Sequence, residues 1–189
     1  MRKCAALALA LLAVVCLSLP NQVSAQGVWV GGGLTVPTGD YADWHNTGFT
    51  TVAGVGFPVG PEGLELFAEG YYGQNSVDDE SHPGAKTSPF GIMGGASYSL
   101  SPGEDSGLYV FGQGGLMVHK WSADDHDSET DNGLAIGGGA GYGFPIGGMK
   151  GFVEGRYTHG MFTDDEFDED YTTAFFSIVV GVFFPLGGE

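Results

Sequence analysis

The sequence predicts an all-β chain: an eight-stranded antiparallel up-and-down transmembrane β-barrel preceded by a cleaved signal peptide. Three observations carry this expectation. The 189 residues open on a basic, then apolar leader. Behind it come eight runs with period-two character, each about 10 to 13 residues long. The connections between those runs alternate between long acidic segments and short Pro/Gly-rich ones.

The leader is residues 1–25. Arg2 and Lys3 form its basic end, and Ala5 to Leu17 is an unbroken apolar run of 13 residues. Val23-Ser24-Ala25 supplies the small residues of a cleavage site between Ala25 and Gln26. The run falls short of the roughly 20 residues a membrane helix needs. Cys16 raises a lipoprotein reading, but Val15 stands where such a signal carries a small residue. Residues 26–189 then form one barrel domain. Both cysteines, Cys4 and Cys16, leave with the leader, so no disulfide can staple the mature chain. Four basic residues remain (Lys86, Lys120, Lys150 and Arg156) against 23 acidic ones, a charge of −19. That balance leaves no basic footprint, and nucleic acid is excluded as a partner. The 35 glycines show no Gly-X-Y period, which excludes collagen, and 24 aromatics exclude plain disorder.

The strands are read at 27–36, 48–57, 64–74, 89–100, 107–120, 133–144, 151–161 and 172–184. Glycine interrupts nearly every window in which a helical period could be sought. The eight mature prolines lie between runs or at a run's first residue, where a missing N–H harms a ladder least. Residues 37–47, 75–88, 121–132 and 162–171 are the long acidic connections; 58–63, 101–106 and 145–150 are the short ones. Long extracellular loops alternating with tight periplasmic turns are the mark of an outer membrane barrel. Phe57-Pro58-Val59-Gly60, Phe144-Pro145-Ile146-Gly147 and Phe184-Pro185-Leu186-Gly187 repeat one pattern, and Tyr98 ends the remaining even-numbered run. These four aromatics are expected to form the periplasmic girdle.

The faces separate cleanly. Leu64, Leu66, Ala68 and Tyr72 oppose Glu65 and Glu69; Val153 and Tyr157 oppose Glu154 and Arg156. Phe90, Ile92, Ala96 and Tyr98 oppose Ser97 and Ser99, and the last run sets Phe176, Ile178, Val180, Val182 and Phe184 on one face. A soluble sandwich could show the same alternation, but its charges would form a dense solvated face rather than sit singly among Gly and Ser. The apolar face therefore meets lipid. Eight strands leave a lumen that side chains just fill, so a polar core rather than a pore is expected. Glu65, Glu69, Glu154 and Arg156 are its expected polar network, with Arg156 bonded to one or two of the glutamates. A core salt-bridge network is the reading preferred over a catalytic carboxylate pair.

The opening hairpin also carries a resemblance. Gly32-Gly33-Leu34-Thr35-Val36-Pro37-Thr38-Gly39-Asp40-Tyr41, then Asn46-Thr47-Gly48-Phe49 and Gly54-Val55-Gly56-Phe57-Pro58, resemble the outer membrane protein beta-barrel domain family. These are small eight-stranded barrels related in architecture to the OmpA and OmpX types. The resemblance implies the cell outer membrane of a Gram-negative envelope and assembly with periplasmic chaperones and the barrel-assembly machinery. It implies outer membrane lipid and lipopolysaccharide as surroundings. The family is functionally mixed, so it implies no activity. Such barrels usually end on an aromatic, whereas here Phe184 is followed by Pro185-Leu186-Gly187-Gly188-Glu189.

Two places could carry chemistry. The long loops hold 16 of the 23 acidic residues, and hard carboxylate ligands suit calcium or magnesium. The candidate ligands are Asp127, Glu129, Asp131, Asp164, Asp165 and Asp168, set against the plainer reading of a solvated surface. Asp127-x-Glu129-x-Asp131 imitates the start of an EF-hand, but Gly133 comes one residue late. His159 lies near the top of the seventh run, where similar lipid A deacylases carry a histidine followed two residues later by serine. Here Met161 takes the serine's place, so an interfacial histidine is expected. The chain is accordingly read as a monomeric, non-enzymatic outer membrane protein with a structural or surface-interaction role and no resident cofactor. A lipid A-modifying enzyme and a conduit for small apolar molecules are the alternatives.

Overall fold

Alternating apolar and small or polar residues fold as antiparallel strands, each pairing with the next in chain order. They are β1 (Gly27–Pro37), β2 (Gly48–Pro58), β3 (Leu64–Ser76), β4 (Lys86–Ser99), β5 (Gly107–Ala123), β6 (His126–Ile146), β7 (Met149–Asp164) and β8 (Glu169–Pro185). β1 also pairs antiparallel with β8, from Gly27↔Pro185 to Pro37↔Phe175, which closes the barrel. The computed structural model describes residues 27–78, 84–123, 126–164 and 169–186. The leader and the Ala25/Gln26 cleavage site lie outside the described residues.

Several expectations need correction; the segment 162–171, expected as a loop, pairs β7 with β8 from Phe162↔Tyr171 to Asp164↔Glu169. The segment 121–132, expected as a loop, continues the β5–β6 hairpin up to Ala123↔His126, with a register shift between Trp121 and Ala123. Its Asp, Ser and Thr composition reads as loop, but backbone pairing continues above the membrane where side-chain polarity no longer opposes it. Pro89, expected at a strand's first residue, lies three residues inside β4. It is tolerated because the β3–β4 pairing skips from Tyr72↔Phe90 to Asn75↔Thr87, leaving a gap where an N–H is not required.

The pleat sorts lipid from lumen. Ile92 is 61% exposed on the outside, while its neighbour Met93 is 1% exposed within. Leu34, Leu134, Ile178 and Val180 extend the outer apolar belt, and Tyr98 and Phe184 point outward near its periplasmic edge. The repeated Phe-Pro-x-Gly segments make alike turns, with Gly60 and Gly147 at φ of 60° and 59°, a region that favours glycine. The lumen, expected as a polar core rather than a pore, is filled by both polar and apolar side chains. Val52, Tyr71, Met93, Met117, Phe162, Phe175 and Val179 pack an apolar and aromatic layer in its upper half. Glycine makes this possible: a Cβ on Gly54 would fall 2.3 Å from the Trp29 ring. Small residues on one strand thus leave the volume that rings from the next strand occupy.

Candidate functional site

Strand register brings the charged lumen residues to one level. Glu69 on β3 and Arg156 on β7 lie on opposite walls, since neither strand neighbours the other. Arg156 Nη1 donates to Glu69 Oε1 at 2.6 Å, and Nη2 reaches both Glu154 and, at 3.4 Å, Glu69 Oε2. Trp29 Nε1 donates to Glu69 Oε2 at 3.0 Å, and the Tyr109 hydroxyl donates to Glu154 Oε1 at 2.6 Å. The Phe111 ring faces the guanidinium, its centroid 5.2 Å from Arg156 Cζ. Two carboxylates, one cation and two neutral donors make a buried charge cluster of formal charge −1, in which Arg156 Nε has no hydrogen-bond partner.

Glu65 does not join it. It lies four residues, two repeats of the pleat, nearer the periplasm than Glu69, opposite Ser97 and Pro58, too far down β3 for Arg156. Trp29 and Tyr109 were missed by sequence reasoning. Their signal was available: each shares inward parity with the small residues of its own strand, Gly27 and Gly31 for Trp29, Gly107 for Tyr109.

Above the network the lumen is capped. The first extracellular connection forms a short 3-10 helix, Gly39–Asp43, whose Tyr41 is 6% exposed. Tyr41 shares a 2.7 Å hydrogen bond with Thr87 Oγ1 and stacks on His45, with ring centroids 3.8 Å apart. His45 Nδ1 donates to the Tyr41 carbonyl at 3.0 Å. Backbone bonds from Thr38 N to Ala174 O, Asn46 N to Ser76 O and Asp78 N to Trp44 O tie this connection to the rim. Burial pushes the Tyr41 hydroxyl up to about 12 and lowers the His45 imidazole below its ordinary value. Beneath it, His119, Phe162 and Tyr171 pack together, and the Tyr171 hydroxyl donates to Asp131 Oδ2 at 2.7 Å.

Of the candidate cation ligands, Glu129 and Asp131 fall where side chains are described, and they differ in setting. Asp131 belongs to this lumen cluster, whereas Glu129 is exposed opposite Trp121 in the extended hairpin. Asp127 lies in the same strand. Asp164 ends β7, while Asp165 and Asp168 lie outside the described residues. Among the described residues no group of three or more His, Cys, Asp or Glu could hold a metal ion. His159 faces outward between Ile136 and Ala174, and Met161 follows it on the same face.

At the opposite end the lumen opens. A cavity of about 270 Å³ runs from the Arg156 cluster down to the periplasmic turns, past Trp29, Phe67, Phe111 and Phe183.

The sequence matches the outer membrane protein beta-barrel domain over residues 7–184. The chain belongs to that family. No curated protein matches it. Among solved structures, Neisserial surface protein A (NspA) aligns with a TM-score of 0.61 at 10% identity, covering 84% of this chain and 95% of that one. Ail, the attachment invasion locus protein of Yersinia pestis, aligns at 0.54 and 12% identity, covering 85% and 99%. At such identities the likeness is one of fold. Family membership places this β-barrel in the outer membrane.

Proposed function

We propose that the protein is a non-enzymatic outer membrane barrel with a structural or surface-interaction role, presenting its acidic extracellular edge to the surroundings. The capped lumen is the observation that carries this reading. Tyr41 fills the extracellular end beside Thr87 and His45, and the ring-packed layer of Tyr71 and Phe175 lies below it. A conduit for apolar molecules would need a widened lumen or a lateral gap, and β1 and β8 pair along their full facing length. A deacylase needs a hydroxyl nucleophile within reach of its base, and Met161 follows His159 instead. The acidic hairpin and rim suit divalent-cation bridges to anionic lipopolysaccharide, since carboxylates alone would be repelled by it.

Lipid A extracted from cells with and without the gene should give the same mass spectrum. A mass shift that depends on the gene, and on His159, would replace this reading with the enzymatic one. Millimolar calcium should raise the unfolding temperature, and neutralising the Asp and Glu residues of 164–170 should abolish the gain.

A further inference from the structure

The geometry points to the periplasm-facing cavity as a binding site for a small organic ammonium ion with an apolar body. The cavity is small, near the lower end of the usual range of about 300–1,000 Å³ for ligand clefts. Its wall is a run of aromatic rings rather than a scatter of side chains. Trp29 stacks on Phe183 with centroids 6.4 Å apart, meets Phe67 edge-on at 5.8 Å, and Phe67 meets Phe111 edge-on at 6.3 Å. Ring faces that border an enclosed space attract a cation and shelter hydrocarbon.

The charge is of one sign. Five carboxylates border the cavity against Arg156 and Lys150. Arg156 is already held by Glu69 and Glu154, so its charge is spent on the roof. Glu65, half-buried on the wall, has no ion pair or hydrogen bond among the described residues. Its carboxylate leans across Gly56, 2.4 Å from where a Cβ would stand, so that only glycine lets it lie there. Gln113 also lines the space, and its Oε1 is buried without a hydrogen-bond partner. An unpaired carboxylate beside aromatic rings matches an ammonium head that donates a charge-assisted hydrogen bond to it, while the shielded Gln113 Oε1 stays out of that contact. An anion would meet Glu65, Glu104 and Asp105 at the mouth, and a neutral apolar molecule would leave Glu65 uncompensated.

The full mature barrel in uncharged maltoside micelles, titrated calorimetrically with 2-phenylethylammonium, tests this. Binding is expected for the ammonium, weakened about tenfold or more by Glu65→Gln and lost with Ser97→Phe, which keeps the carboxylate but fills the space beside it. The neutral 2-phenylethanol should bind at least about tenfold more weakly than the ammonium. Heat-modifiable migration of both variants establishes that they are folded. Absence of heat up to about 10 mM ammonium with the unaltered barrel would overturn the proposal. So would equal binding of the alcohol, or affinity unchanged by Glu65→Gln.

Discussion

Arg156 Nη1 lies 2.6 Å from Glu69 Oε1, a contact between residues 87 apart in sequence that ties β7 to β3 straight across the lumen. Neighbouring strands are already held by their ladders. This bridge instead fixes the spacing of walls that share no ladder.

Removing the cation should therefore be costly. Arg156→Met leaves two carboxylates buried without a counter-charge, and a loss of about 3–5 kcal/mol is expected. Lys86→Met, at an exposed strand end, should change stability by less than about 0.5 kcal/mol. Heat-modifiable migration and urea unfolding in micelles compare the two. Adding Glu69→Gln and Glu154→Gln to Arg156→Met should recover part of the loss, because the uncompensated charges then go too. Equal stability of the two single variants would show that the bridge contributes nothing.

The cap separates volume from hydrogen bonding. Tyr41→Phe removes the bond to Thr87 and should cost about 1 kcal/mol. Tyr41→Ala also empties the ring's site and should cost about 3–5 kcal/mol of the cap's docking. Hydrogen exchange of the 38–47 amides reads both. Tyr41→Ala should free that segment, while β1 and β8 stay protected.

Acid should loosen the same cap. Burial lowers the His45 imidazole, so the folded cap prefers it neutral. The groups facing it are the Tyr41 ring and carbonyl, with His119 against the far side of Tyr41 at 6.0 Å. A lowered histidine binds fewer protons folded than unfolded. Its stabilisation is full above the unfolded value of about 6.5 and falls away as pH drops through the folded value. Exchange of residues 38–47, corrected for the intrinsic pH effect, should rise between about pH 7 and pH 5. With His45→Gln that rise should shrink; a rise of the same size would assign it to another group.

Glycine positions should divide by face. A Cβ on Gly139 would lie 2.2 Å from the Gly155 carbonyl oxygen and 2.9 Å from the Phe111 ring, so Gly139→Val should abolish heat-modifiable barrel. Gly112 has nothing within 4 Å of its Cβ position, and Gly112→Ala should fold as well as the unaltered chain.

How much of this was legible depended on whether the signal was a period or a distance. Period two placed Glu69, Glu154 and Arg156 on one face because parity survives any error in strand ends. Parity could not say that Glu65, on that same face, sits a step too low for Arg156, since relative height depends on register between strands. Nor could it show Tyr41 entering the barrel. That residue sits in a Gly/Asp-rich connection, and its burial follows from contacts to Thr87 and His45 rather than from local pattern. The β5–β6 extension was hidden for a related reason: above the membrane, backbone pairing persists while the hydrophobic alternation that reveals it has ended.

That extension has a further effect. The outward apolar residues of β6 begin at Leu134, so eight residues, His126 to Gly133, rise beyond the lipid belt. At about 3.3 Å each and the usual strand tilt, they lift the hairpin tip about 20 Å above it. Charge interactions fade over about 8 Å at physiological salt. Glu129, five residues above Leu134, therefore stands about 13 Å above the hydrocarbon, within one such length of the headgroup layer, so the potential it feels is set by the charges of that layer rather than by the hydrocarbon.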